Sequence, residues 1–151
     1  MSLRPILLAA AIALLPGLAA AGPASDLVKS FYAPVGFEAD PANRDKFVAP
    51  ARDIFDQADK SATPGEVGCI DFVLAIDAQD FDQGEIDRTL KLDEKISGDS
   101  AAVKATFNVF PDDPDSKRSI DWTLRKVGGL WKIADIASKS SDWRLSEFDC
   151  N

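Results

Sequence analysis

The chain has 151 residues, with 17 lysine and arginine side chains against 25 aspartate and glutamate side chains and a formal net charge of −8. The basic residues are dispersed among acids and form no run, which excludes the basic stripe that nucleic-acid binding requires. Histidine is absent, and its absence removes the commonest general base, the histidine-dependent nucleophilic systems and most zinc sites.

Residues 1–21 have the pattern of a secretory signal peptide. Arg4 supplies a positive charge near the start, and residues 6–15 then run without a polar side chain. This apolar run is too short to span a bilayer, which takes about 20 residues. Small residues precede Gly22 and fit a signal-peptidase site. We therefore expect Sec-type export and a soluble periplasmic or secreted product with no membrane attachment after cleavage.

The remaining residues, 22–151, are predicted to form one acidic domain. Removal of the leader takes away only Arg4 among the charged residues, so 16 basic and 25 acidic side chains remain, with a formal charge of −9. The two cysteines, Cys69 and Cys150, both lie in this part. In an exported protein the natural expectation is a structural disulfide between them, and a pair of free buried thiols is the alternative.

The amino-terminal third is predicted to be helical. Ser25 is a candidate N-cap for a short amphipathic helix, and Asp40 followed by Pro41 is a second cap and first-turn pair. Apolar residues over 47–58 recur at helical spacing and indicate a core-facing stripe. Pro50 interrupts that stripe, so we expect either a kink or two short helices with the proline in the first turn of the second.

The rest of the chain is predicted to be mainly strand. Residues 69–76 form a compact apolar run that fits either a buried strand or a short helix. Downstream the apolar residues alternate with period two, and Gly128-Gly129 fits a tight two-residue hairpin. Four strands are predicted, at 86–96, 101–110, 119–127 and 130–138. Helices followed by an antiparallel meander define a single α+β domain, in which the helices cover one face of a curved sheet.

This order of elements resembles a known superfamily. The ending Trp131-Lys132-Ile133-Ala134-Asp135-Ile136 after a Gly-Gly turn is similar to the nuclear transport factor 2-like, or cystatin-like, cone fold. Asp71-Phe72 followed by Gln79-Asp80, together with that ending, resembles domain-of-unknown-function family 3828, a branch of secreted bacterial proteins. The resemblance implies a cone-shaped fold and no particular activity, because one fold hosts many functions.

Candidate site residues follow from the same segment. The predicted ligand-pocket residues are Asp71, Gln79, Asp80 and Trp122. Because Trp122 occupies a strand position, packing in the core is the alternative for its ring. A carboxylate buried in the cone could act as an acid or base if burial raised its pKa, and Asp121 joins the two pocket aspartates as a candidate, with Tyr32 as the only phenol. Trp143 is expected to anchor the carboxyl-terminal tail near Cys150.

No cofactor and no metal are predicted. Acidic residues are frequent over 77–87, but their spacing does not match a calcium-binding EF-hand loop. No residue is assigned a catalytic role. Three functions remain open: an exported, non-catalytic module that binds a small molecule or a protein in the concave face of the sheet, an inhibitor or immunity-type module that neutralises a partner protein, and an isomerase- or dehydratase-like enzyme that uses a buried aspartate. The oligomeric state is not predicted.

Overall fold

A computed structural model of the protein describes residues 22–150, so the predicted signal peptide lies outside the described residues. Three α-helices precede or border a five-stranded sheet. The helices are α1 (Pro23–Lys29), α2 (Ala51–Ser61) and α3 (Gln83–Thr89), and the strands are β1 (Lys91–Ser97), β2 (Ser100–Asn108), β3 (Lys117–Val127), β4 (Leu130–Ser138) and β5 (Trp143–Arg144). Short 3-10 helices occupy Pro41–Lys46, Pro114–Ser116 and Leu145–Glu147.

The sheet is an antiparallel meander in the order β1-β2-β3-β4-β5. The predicted α+β class, with helices on one face of a curved sheet in a single domain, is confirmed. Gly128 and Gly129 join β3 to β4 with φ values of 59° and 80°. Positive φ at both central residues is what a tight turn between twisted strands demands, and glycine adopts it without steric cost.

Several predicted boundaries are corrected by the structure. The first helix begins at Pro23, with Gly22 at the N-cap, so Ser25 is not the cap; it is buried inside the helix, and its backbone N–H donates to the Glu94 carboxylate at 2.6 Å. Asp40 does cap its 3-10 helix, since its side chain accepts from the Ala42 N–H. Pro50 lies at the N-cap of α2, just before the first turn.

The predicted strand over 86–96 is wrong in its first part and confirmed in its second. Its first part is helix α3, because the Asp82 side chain accepts from the Glu85 N–H at 2.8 Å and caps a helical turn there. Only Lys91–Ser97 forms the strand β1.

The apolar run over 69–76 is neither strand nor helix. It is a sequence of turns in which Leu74, Ala75 and Ile76 are fully buried. Side chains from elsewhere satisfy its backbone groups: Glu38 accepts from the Ala75 N–H, and the Tyr32 hydroxyl donates to the Ala75 carbonyl. A buried loop is possible here because its polar backbone atoms find these partners.

The core lies between the helices and the inner face of the sheet. Alternate residues of β2, from Ala101 to Phe107, are buried, and their neighbours along the strand point outward. Aromatic rings fill the space beneath α1: Phe31 stacks on Trp122 at 5.7 Å between ring centroids, and Phe47 packs edge-on against Phe55 at 5.0 Å. Within residues 22–150, no helix has the length and apolar character needed to cross a membrane.

Candidate functional site

The structure places three of the predicted pocket residues on the surface. Asp71, Gln79 and Asp80 are all exposed, in or next to the turns that follow Cys69. Gln79 and Asp71 are brought together through the main chain, since the Gln79 amide donates to the Asp71 carbonyl at 3.1 Å. No hydrogen bond found among residues 22–150 joins this group to Trp122, the fourth predicted residue.

Trp122 lies in the core instead. Its side chain is fully buried on the inner face of β3, and its indole N–H donates to the Tyr32 hydroxyl at 3.2 Å. That hydroxyl in turn donates to the Ala75 carbonyl at 2.7 Å. Tyr32 therefore links the sheet to the buried loop, and burial raises the pKa of its phenol well above the ordinary value. The two rings act as packed structural groups in a filled interior.

A buried carboxyl that the sequence did not single out lies beside this network. Glu38 is 4% exposed, and its Oε1 accepts from the Ala75 N–H at 2.6 Å. Desolvation by burial raises its pKa from 4.5 to about 7. Asp121, by contrast, lies on the opposite side of the sheet, where it pairs with Lys139 at 3.4 Å. No local pattern distinguishes Glu38 from a surface residue in a turn, since its burial is created by loops distant in sequence.

The residue before Glu38 is an exposed aromatic ring in a constrained loop. Phe37 is 58% exposed and has a φ of 71°, a left-handed conformation that is uncommon for a bulky side chain. The loop is held on both sides, because the Gly36 N–H donates to the Phe31 carbonyl at 3.0 Å and the Asn43 amide donates to the Phe37 carbonyl at 3.0 Å. The backbone of the loop is therefore held in place, and the exposed ring is available for contact with another molecule.

The carboxyl-terminal tail is tied to the same loops. Cys69 and Cys150 form the expected disulfide, with their Cα atoms 5.4 Å apart. Asp77 accepts three hydrogen bonds, from the Ser138 and Ser141 hydroxyls and from the Trp143 indole, at 2.7, 2.6 and 2.7 Å. Trp143 thus anchors the tail, as predicted.

Trp143 also makes aromatic contacts with residues near both cysteines of the disulfide. Its ring packs against those of Phe72 and Phe148, at 5.3 and 5.8 Å between centroids. A second carboxylate fixes the same segment, because Asp135 accepts from the Ser146 hydroxyl at 2.8 Å and pairs with Arg144 at 3.0 Å. The tail is therefore a structural part of the domain.

The side of the sheet that faces away from α1 and α2, here called the outer face, carries several open grooves, two of which are lined largely by β1, β2 and β3. The first has a volume of about 410 Å³, and its charged lining residues are Asp93, Lys95, Lys104, Asp121, Lys139 and Arg144. The second has a volume of about 350 Å³, and its charged lining residues are Arg88, Lys91 and Lys117. Lys104 lies opposite both Asp93 and Asp121 in the strand register, which places the first groove across the middle of the sheet. No local sequence pattern indicates this surface, because its basic residues come from segments that are far apart along the chain.

Comparisons with known proteins bear on the fold. No protein-family model matches the chain, and no curated protein matches it. Among solved structures, a chain of the type VI native effector-immunity complex Tae3-Tai3 from Ralstonia pickettii is similar, with a TM-score of 0.51 and 18% sequence identity. The likeness covers 80% of this chain and 97% of that chain. At this identity the comparison supports the α+β fold of the chain and does not by itself carry a function.

Proposed function

We propose that this protein is an immunity-type module that binds and neutralises a partner protein outside the cytoplasm. The observation that carries the proposal is the similarity to a chain from an effector-immunity complex over 80% of this sequence. Small domains that act in this way need only a stable, complementary surface, and they need no catalytic constellation. This makes the protein-interaction alternative better supported than binding of a small molecule in the concave face.

The chemistry of the chain favours the immunity role over the effector role within such a pair. Both cysteine sulfurs are joined to each other in the disulfide, so neither is a free nucleophile. The sequence contains no histidine to activate a serine or cysteine. The inner face of the sheet, where the concave-face hypothesis places a ligand, is packed with buried side chains such as Trp122, Leu124 and Phe107. That hypothesis is not confirmed.

Export is the second part of the proposal. The signal-peptide pattern over residues 1–21 and a disulfide that suggests an oxidising compartment together support a periplasmic or secreted protein. An immunity protein in that compartment would neutralise a partner that acts outside the cytoplasm. Membership of the nuclear transport factor 2-like superfamily, and of domain-of-unknown-function family 3828 within it, belongs to this proposal and rests on the sequence resemblance.

The test begins with affinity capture of the protein from an extracytoplasmic extract of its native cells. Each captured protein is then expressed in the periplasm of a host, alone and together with this chain carrying its own leader. We expect one captured protein to arrest growth and co-expression to restore growth. The matched control is the chain without residues 1–21, which should stay in the cytoplasm and give no protection. Captured proteins that are all harmless, or protection by the leaderless chain, would refute the proposal.

A further inference from the structure

The outer face carries positive charge on a negatively charged protein. Seven basic side chains and two acidic ones line its first and second grooves. The mature chain as a whole carries 16 basic and 25 acidic side chains. These two grooves therefore carry more positive than negative charge, whereas a third groove beside the first, of about 320 Å³, adds the acidic residues Asp142 and Glu147.

Four of these basic groups form no ion pair within residues 22–150, although one of them, Lys104, lies between Asp93 and Asp121 in the strand register. Three of the seven are held in ion pairs, namely Arg88 with Glu85, Lys139 with Asp121 and Arg144 with Asp135. The other four form none of the ion pairs found among residues 22–150: Lys91, Lys95, Lys104 and Lys117. All four are exposed and belong to β1, β2 and β3.

The strand register explains why these lysines share one face. Side chains alternate between the two faces of a strand, so Lys91 and Lys95 point to the same side of β1. On β2, Lys104 points opposite to the buried Val103 and Ala105. Lys117 lies opposite Asn108, one of the residues lining the second groove. Since all four lysine side chains are exposed, their ammonium groups lie on an open surface.

We infer that the outer face is the docking surface for an acidic segment of the partner protein, whose carboxylates enter the two grooves beside these lysines. This inference rests on the proposed function and adds the location and the charge of the contact. The charged residues that line the second groove are all basic. Clefts lined by one sign of charge concentrate oppositely charged ligands and raise their association rate. The net charge of −9 on the mature chain disfavours extended polyanions such as DNA or an anionic membrane, which would also meet the acidic surfaces, whereas a short acidic segment contacts the grooves alone.

The test uses full-length protein, expressed with its own leader, and a fluorescent decaglutamate peptide as the probe. The double variant Lys95→Glu/Lys117→Glu places one reversed charge in each groove. Its matched control is Lys29→Glu/Lys60→Glu, which reverses two exposed lysines in the last turns of α1 and α2, away from the sheet. A third variant, Lys95→Gln/Lys117→Gln, removes the charges without adding repulsion, and circular dichroism checks that all three are folded.

We expect the peptide to bind the wild type and the control equally. The charge-reversed variant should bind at least about ten-fold more weakly, and the glutamine variant should fall between them. Raising the NaCl concentration from about 50 to 500 mM should weaken wild-type binding, since screening acts on exposed charges. Equal loss in the control variant, or tighter binding of a DNA duplex or of phosphatidylglycerol vesicles than of the peptide, would overturn the inference.

The same variants separate this inference from the proposed function. If a toxic partner is captured and the charge-reversed variant still binds it and protects against it as the wild type does, the docking surface is wrong and the immunity role stands. If the peptide binds the grooves as expected but no captured protein is toxic, the immunity role is wrong and the acid-binding surface stands.

Discussion

Replacement of Glu38 by glutamine should remove a pH dependence from the stability of the fold. Glu38 is buried, and its Oε1 accepts from the Ala75 N–H at 2.6 Å. Glutamine is nearly the same size and keeps the accepting oxygen. The substitution therefore removes the ionisation while it preserves the contact between the loop that contains Glu38 and the buried loop around Ala75.

The magnitude follows from the raised pKa of Glu38, which burial moves from 4.5 to about 7 in the folded protein. Because the folded pKa lies above the unfolded one, the unfolded state releases this proton first as the pH rises. The contribution of Glu38 to stability is therefore greatest below about pH 4.5, falls as the pH rises to about 7, and is constant above that. A shift of this size corresponds to about 3 kcal/mol of unfolding free energy in total, of which most is lost between about pH 5 and 8.

Urea denaturation of the wild type and of Glu38→Gln at about pH 5 and pH 8 measures the effect. We expect the wild type to lose about 2–3 kcal/mol more than the variant over this range. Glu66→Gln, at an exposed position, is the matched control and should behave as the wild type does. An identical pH dependence in wild type and Glu38→Gln would show that the carboxyl titrates normally and that the reasoning from burial is wrong.

Four further changes test the contacts described above. Tyr32→Phe leaves the buried Ala75 carbonyl and Trp122 indole without partners and should cost about 1–3 kcal/mol by urea denaturation, whereas a cost near zero would argue against the network. Cys69→Ser should lower stability by about 4 kcal/mol in the chain-entropy model, and reduction should raise the mass of the wild-type protein by two hydrogens, with no change in mass if the bridge to Cys150 is absent. Asp77→Ala should increase amide hydrogen exchange over residues 139–150, because the tail loses three hydrogen bonds, and unaltered exchange would contradict the anchoring role. Phe37→Gly should leave the melting temperature unchanged or raise it, since glycine adopts a φ of 71° without strain, and a clear loss of stability would mean that the exposed ring supports the fold.

Local chemistry made parts of the fold predictable. The Gly128-Gly129 pair specifies a turn with positive φ at both residues, and the alternation on either side specifies strands. Asp40 before Pro41 specifies an N-cap, because the aspartate side chain accepts from a backbone N–H of the turn that follows it. In each case the residues that determine the structure are neighbours in sequence, so the pattern can be interpreted without the rest of the chain.

The predictions of secondary structure are wrong where contacts from outside the segment decide its conformation. The run over 69–76 is apolar enough for a strand, but Glu38 and Tyr32 satisfy its backbone polar atoms and make a buried loop stable. The predicted strand over 86–96 alternates with period two, but its first four residues belong to helix α3, which begins after the Asp82 cap. Local periodicity does not encode either of these contacts.

For the candidate site, too, some features follow from the sequence and others only from the tertiary structure. From composition alone the sequence determined an acidic chain with no histidine and a single pair of cysteines, which excluded several kinds of catalysis and predicted the disulfide. Only the tertiary structure decided that Trp122 packs in the core and does not line a pocket, that Glu38 is buried, and that lysines from three strands share one face of the sheet. Composition and local pattern fix which groups are present, whereas burial and clustering depend on which distant segments pack together.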